Sequence, residues 1–164
     1  MSLDIRYATV DDVALVLRFI KELAAVEGLS HKVTATEEIL AEQLFGEKKY
    51  AETILVYWDN EPVGFALFFH YFLTYLGKPS IFLENLYVIP EMRGRGIAKK
   101  IFSFLAEITL ERGAECLDWC VLDSNVSARA FYEKIGASEE NEWVMYSISG
   151  NKLKNLINKN DDFS

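Results

Sequence analysis

The sequence predicts a mixed α/β fold with an antiparallel meander in its first half. Three observations indicate this class. Apolar residues first recur at helical spacing and, from residue 51 onward, form the β-branched and aromatic runs that are typical of strands. Turn signals separate these runs, as in a hairpin. Helical and strand patterns then alternate, which gives the order β, α, α, β, β, β, α, β, α, β.

Two helices are predicted after a short first strand. Residues 3–7 alternate apolar and polar side chains, which indicates a strand. Thr9 follows as the cap of a helix that carries two aspartates in its first turn and ends near Gly28. Further on, a threonine followed by two glutamates predicts a second, shorter helix over about 36–45.

The next segment contains three strands. Residues 51–72 form two apolar runs around the sequence DNEP, which is the chemistry of a hairpin turn. A second turn, YLGKP, leads into a strand over about 80–89, which Pro90 ends because proline cannot donate a ladder hydrogen bond.

The second half continues with a helix, a strand, a helix and a strand. These are a helix that ends at Gly113, a strand over 115–122, a helix over 125–135 and a final strand over 142–149. A polar tail starts at about residue 150 and has one or two helical turns around 153–157. Because no linker or repeat interrupts the pattern, and 51% of the 164 residues are hydrophobic, we expect one domain over 1–164.

Composition excludes several classes of function. The chain has 17 basic and 25 acidic residues and a net charge of −8, which argues against general nucleic-acid binding. It has neither an apolar run long enough to span a membrane nor a signal-peptide pattern, so we expect a cytoplasmic protein. His31 and His70 lie in no metal-binding spacing, and we expect no metal.

The two cysteines are not expected to form a disulfide. Cys116 and Cys120 are four residues apart in a predicted strand, which separates their Cα atoms by about 13 Å. A disulfide requires less than about 7 Å. We expect two buried thiols, as in proteins of a reducing compartment.

The segment 93–100 places four cations and two glycines at the start of a predicted helix. Free N–H groups and the helix dipole favour an anion there, and glycines let a phosphate approach the backbone. The P-loop and dinucleotide-binding patterns do not fit, whereas the pattern Arg/Gln-x-x-Gly-x-Gly/Ala does. Taken alone, the segment is also compatible with an ordinary basic turn.

Two stretches resemble a known family: FLENLYVIPEMRGRGIAKKI and VLDSNVSARAFYEKIGA. They are similar to the GNAT superfamily of acyl-CoA N-acyltransferases, and most like the spermidine/spermine (diamine) acetyltransferases. The resemblance covers about residues 5–146. It implies a mostly antiparallel central sheet flanked by helices, acetyl-CoA as co-substrate, a primary amine of a small cationic molecule as acceptor, and a homodimer.

The resemblance also assigns the residues that bind the co-substrate. The glycine segment receives the pyrophosphate, the backbone of the preceding strand binds the pantetheine arm, and an asparagine with the helix after it adds further contacts. The implied set is Leu86, Tyr87, Val88, Arg93, Gly94, Arg95, Gly96, Ile97, Ala98, Lys99, Asn125 and Ala128.

Two residues are implied to carry the chemistry. Glu84 would help to deprotonate the amine, and Tyr132 would act as general acid toward the departing thiolate. From the residues alone, Glu84 is equally an exposed carboxylate at a strand end, and Tyr132 a core aromatic. The residues assigned to the amine are Glu27, Glu84, Asn85, Trp119 and Trp143; either tryptophan is also compatible with a core position.

The chain departs from the family pattern where the polyamine would bind. Asn85 and Leu73 stand where the family usually has aspartate, with Tyr75 at the position of the aromatic residue of the turn, and Ser124 stands where a tryptophan is common. Two carboxylates are therefore missing, which favours a shorter amine. Two alternatives remain open at this point: acetylation of a protein lysine or N-terminus, and a CoA-binding regulatory module without catalysis.

Overall fold

A computed structural model describes residues 2–140, 142 and 144–158. The chain divides into two compact units, Met1–Asp123 and Ser124–Ser164. A single domain over the whole chain stays a prediction. None of the helices in the described ranges combines the length and the apolar character needed to cross a membrane.

The first unit contains a five-stranded sheet and three α-helices among its described residues. Its elements are β1 (Leu3–Tyr7), α1 (Val13–Val26), α2 (Glu37–Phe45), β2 (Glu52–Trp58), β3 (Glu61–Leu73), β4 (Lys78–Val88), α3 (Ile97–Glu111) and β5 (Leu117–Trp119). The second unit contains α4 (Val126–Lys134) and α5 (Asn151–Asn158). The predicted helical turns of the tail are thus confirmed.

The strands lie in the order β1-β2-β3-β4-β5. The first four pair antiparallel and β5 pairs parallel with β4, which confirms a mixed, mostly antiparallel sheet. The predicted hairpin joins β2 and β3 through Asp59 and Asn60, whose φ angles are 49° and 68°. Positive φ at both central residues is the geometry that matches the twist of hairpin strands.

Helices cover both faces of the sheet. On one face, Val16 and Phe19 of α1 pack in a buried cluster with Leu55, Phe65 and Tyr87 of the strands. On the other face, buried residues of α3 cover the strands, and the ring of Phe104 contacts the ring of Tyr7 at 6.2 Å. The sheet is thereby held between two helical layers, which fixes the position of β4.

The start of α1 is held by Asp12. The Arg6 guanidinium donates hydrogen bonds of 2.8 and 2.9 Å to the two carboxylate oxygens, and the backbone N–H of Thr9 donates one of 2.8 Å. The bond with Arg6 is the main reason why the pKa of Asp12 falls from 3.8 to about 2.

We expect Asp12→Asn to destabilise the protein by about 1–2 kcal/mol at pH 7. This value allows for solvent screening of the ion pair, because the Arg6 side chain is 42% exposed. The folded pKa of Asp12 is depressed, so this stabilisation is present above the unfolded pKa and disappears as pH falls from about 4 to about 2. Urea unfolding measures it, with Asp11→Asn as the exposed control. Equal stability of the two variants, or a difference that does not shrink at low pH, would contradict this assignment.

One predicted strand is absent from the described residues, and another is shorter than predicted. No strand forms in the described part of 142–149, where Val144, Met145 and Tyr146 are exposed. β-propensity reports how well a side chain fits a half-buried pleated surface, so it produces a strand only where a neighbouring strand supplies that surface. The strand predicted over 115–122 shortens to β5, because its pairing with β4 ends at Trp119. Cys120 therefore lies outside the strand and is exposed, not buried, and no disulfide joins it to Cys116.

Candidate active site

The two edges of β4 differ at its C-terminal end. Pairing with β3 continues to Val88, which lies opposite Gly64. Pairing with β5 ends earlier, at Leu83 opposite Trp119. Within the described residues, the edge of β4 over 84–88 that points toward β5 therefore has no strand partner. We call this opening, from the Leu83–Trp119 pair to Val88, the fork.

Glu84 lies at the closed end of the fork and in a β-bulge. Leu67 of β3 pairs with Asn85 and the next residue, Phe68, pairs with Leu83, so Glu84 is an extra residue in β4. Bulges bend a strand and redirect a side chain, and they are common next to active sites. Glu84 is exposed. The predicted base thus occupies the position where the strand changes register and loses its second partner.

The glycine segment forms a turn at the N-terminus of α3. Gly94 and Gly96 have φ angles of 76° and 79°, and Gly96 caps the helix without a side-chain hydrogen bond. The helix begins with the hydrogen bond from Lys100 N–H to Gly96 O, so the three preceding amides have no carbonyl partner within the helix. A Cβ added at either glycine would meet no atom within 4 Å. Open space, free N–H groups and nearby lysines fit a phosphate group.

The two arginines of the turn already have protein partners. Arg93 Nε donates a 2.9 Å hydrogen bond to Val88 O, and its guanidinium lies 5.8 Å from the ring of Tyr87. The guanidinium of Arg95 lies 5.9 Å from the ring of Trp58. Arg93 therefore ties the turn to the end of β4, which aligns the helix N-terminus with the fork.

Tyr87 presents its backbone, and not its side chain, to the fork. The ring is buried in the α1 face of the sheet, 5.9 Å from the ring of Phe19. Burial, followed by the nearby carboxylate of Glu22, raises the pKa of Tyr87. This arrangement fits the predicted role of the β4 backbone as the partner of an extended ligand.

The residues predicted to contact the amine occupy different places. Asn85 is half-buried opposite Leu67, which packs against the α1 cluster. Glu27 is an exposed residue at the C-terminus of α1. Trp119 is half-buried at the closed end of the fork, where its ring contacts Phe102 at 4.8 Å. Trp143 lies outside the described residues.

In the second unit, Asn125 and Ala128 are joined at the start of α4. The side chain of Asn125 accepts a 3.2 Å hydrogen bond from Ala128 N–H and so caps the helix. Tyr132 lies on the same helix, half-buried, with its ring 5.6 Å from that of Phe131. Burial raises the pKa of Tyr132, so its hydroxyl keeps its proton at neutral pH.

No group of three or more metal-binding side chains occurs among the described residues. The sequence predicts the glycine turn, which the structure contains, and a role for Glu84, which stays a prediction. The bulge and the early end of β5 were not predicted. Both depend on which strands pair, and no local pattern reports that.

Comparisons with known proteins identify the family of this chain. Residues 17–137 match the model of the "Acetyltransferase (GNAT) family". The chain is 33% identical to thialysine N-epsilon-acetyltransferase from Mus musculus, covering 96% of this chain and 99% of the relative. It is 24% identical to L-ornithine N5-acetyltransferase NATA1 from Arabidopsis thaliana, covering 92% and 86%.

Among solved structures, an integron cassette protein from the mobile metagenome of V. cholerae has a TM-score of 0.78 and 28% identity, covering 96% of this chain and 98% of the other. The family match includes β4, the glycine turn and α4, the elements that carry the predicted site residues. The protein belongs to the GNAT acetyltransferase family and is an acyltransferase that uses acetyl-CoA as its co-substrate.

Proposed function

We propose that this protein acetylates a primary amine of a short cationic molecule, such as a small diamine or a lysine-like amino acid, in preference to a long polyamine. The observation that carries the proposal is the fork, with the Glu84 bulge at its closed end and the glycine turn beyond its open end. The activities named for the thialysine and ornithine relatives support an acceptor of this size.

The glycine turn holds the anionic end of the co-substrate. The free amides of Ile97, Ala98 and Lys99 and the positive end of the helix dipole face the pyrophosphate, and Lys99 adds a charge. The backbone of residues 86–88 pairs with the pantetheine arm along the open edge of β4. The thioester then lies toward the closed end, near Glu84.

Glu84 receives a proton from the amine. An alkyl amine titrates near 10.4, so only about one molecule in a thousand is a free base at pH 7.5. The exposed carboxylate takes the proton directly or through a water molecule, and the free amine attacks the thioester carbon. Because Glu84 lies at the end of the fork, deprotonation and attack occur in the same place.

Tyr132 donates a hydrogen bond or proton to the departing thiolate, a role that rests on the family resemblance and on its raised pKa. An ordinary phenol is about 1.5 pKa units less acidic than a thiol, which costs about 2 kcal/mol for full transfer. Burial of Tyr132 increases this cost. The hydroxyl therefore acts while the C–S bond breaks, and the family resemblance assigns Asn125 and Ala128 to binding of the co-substrate.

The residues that the family resemblance assigns to the amine are Glu27, Glu84, Asn85, Trp119 and Trp143. A long polyamine carries a second cation several methylenes from the reacting nitrogen, and it requires acidic groups at two places. Losing a partly buried contact to a charge costs about 1.5–3 kcal/mol, or roughly ten- to a hundredfold in affinity. Leu73 and Asn85 offer no charge, which supports the shorter acceptor.

We expect kcat/KM for spermidine and spermine to be at least about tenfold below that for a short diamine, ornithine or a lysine analogue. Thiol release from acetyl-CoA measures all of them. The double variant Leu73→Asp, Asn85→Asp is expected to shift preference toward polyamines, whereas the uncharged control Leu73→Asn is not. A tenfold advantage for spermidine in the native protein would exclude the short-amine preference, and a lysine peptide as the best acceptor would exclude the small-molecule assignment.

The resemblance to diamine acetyltransferases further supports a cytoplasmic homodimer that requires no nucleic acid or membrane. Light scattering tests the dimer, because one chain has a mass of 18.8 kDa and a dimer has twice that mass. A monomeric mass for the active enzyme would contradict it.

A further inference from the structure

Three polar side chains join adjacent strands beside the fork. The hydroxyl of Tyr71 on β3 donates a hydrogen bond to Asp118 Oδ2 on β5. Ser80 on β4, between them, donates a 2.8 Å hydrogen bond to Cys116 O and lies 3.3 Å from the same Asp118 oxygen. We call Tyr71, Ser80 and Asp118 the three-strand cluster. It connects β3 to β5 across β4. These two strands are not neighbours in the sheet, so no backbone pairing joins them.

The cluster lies one residue pair from the closed end of the fork. Asp118 pairs with Phe82, and the next pair, Leu83 with Trp119, is the last. β5 has only three residues, so few backbone hydrogen bonds hold it to β4. At the opposite end, a 2.6 Å ion pair joins Lys78 of β4 to Glu115, which lies two residues before β5. The three-strand cluster is the corresponding reinforcement on the side of the fork.

The environment of the cluster makes its hydrogen bonds strong. Ser80 is fully buried, and Tyr71 and Asp118 are half-buried. Burial, together with the hydrogen bond to Asp118, raises the pKa of Tyr71, so its hydroxyl remains a donor at physiological pH. Hydrogen bonds to a carboxylate are worth more than those between neutral groups. Removing the Tyr71 hydroxyl is therefore expected to loosen the end of the β4–β5 ladder.

We propose that the three-strand cluster fixes the depth of the fork and thereby selects the acetyl group over longer acyl groups. This rests on the proposed function, in which the thioester lies at the closed end near Leu83 and Trp119. The ring of Trp119 is backed by Phe102, so the last pair forms the end wall. Opening one pair would lengthen the fork by about 3.3 Å, enough for a longer acyl chain.

The first test compares acyl donors. Tyr71→Phe keeps the ring and removes the hydroxyl, and the matched control is Tyr50→Phe, at a tyrosine that is 58% exposed. With one amine at saturation, kcat/KM for butyryl-CoA divided by that for acetyl-CoA is expected to rise about fivefold or more in Tyr71→Phe and to stay unchanged in the control. A purely structural cluster would lower both rates together and leave the ratio constant.

The second test does not depend on activity. Amide hydrogen exchange without any ligand is expected to accelerate at residues 117–119 in Tyr71→Phe, and to stay unchanged at β1. If Tyr71→Phe fails to fold, Asp118→Asn keeps the shape of the side chain and removes its charge, and the same two shifts are expected.

Unchanged exchange at residues 117–119, or an unchanged donor ratio in a folded variant, would overturn the proposal. If the native protein transfers no acetyl group to any amine, the proposed function fails by itself. The exchange measurement then still decides whether the cluster holds residues 117–119 of β5 against β4.

Discussion

Gly96→Glu is expected to abolish detectable binding of acetyl-CoA, with an affinity loss of at least about a hundredfold. The substitution fills the open space above the helix N-terminus, where the phosphates are proposed to approach the backbone, and adds a negative charge there. It also places a side chain at a φ of 79°, which costs on the order of 1 kcal/mol and lowers stability. Calorimetric titration with acetyl-CoA measures the effect.

Gly113→Glu is the matched control, because Gly113 lies just beyond the other end of α3 with a φ of 64° and equally open space. It carries the same backbone cost and the same charge far from the turn, so its acetyl-CoA affinity is expected to equal that of the native protein. Native affinity in a folded Gly96→Glu variant would falsify the assignment of the turn.

Tyr132→Phe is expected to lower kcat by on the order of a hundredfold or more while leaving the fold and acetyl-CoA affinity unchanged. The substitution removes only the hydroxyl, and the ring keeps its contact with Phe131. Burial raises the pKa of Tyr132 and keeps the hydroxyl protonated, so the substitution removes the proposed proton donor and not a packing group. Steady-state rates on the best amine, together with a binding titration, separate the two effects.

Tyr146→Phe provides the control in the same unit, because the Tyr146 ring is 92% exposed. Its kcat is expected to match that of the native protein. Turnover of Tyr132→Phe within about threefold of native would show that Tyr132 is a core aromatic, the alternative that its sequence pattern also allowed.

Local chemistry explains what could be predicted from the sequence. The cap of α2 at Thr36, the positive-φ turn at Asp59 and Asn60 and the glycine turn before α3 each depend on residues within a few positions of one another. The residues that form each of these caps and turns lie within one short stretch of sequence. The elements that carry the glycine turn and Glu84 therefore followed directly from the chain.

Pairing between distant strands explains what could not be predicted. The bulge at Glu84 exists only because β3 shifts register between Leu67 and Phe68. Tyr71 and Asp118 are 47 positions apart, so no periodicity links them. The strand predicted over 142–149 is absent from the described residues for the same reason. Its apolar pattern favours a strand but does not determine which strand it would pair with.

Amide hydrogen exchange with and without acetyl-CoA, in the absence of any amine, tests whether the fork and the glycine turn bind the co-substrate. The fork and the glycine turn are proposed to bind the co-substrate through the backbone, so exchange at residues 86–88 and 97–99 is expected to slow on binding, while exchange at β1 stays unchanged. If saturating acetyl-CoA slows exchange elsewhere and leaves both of these segments unchanged, the co-substrate does not bind through the fork and the glycine turn.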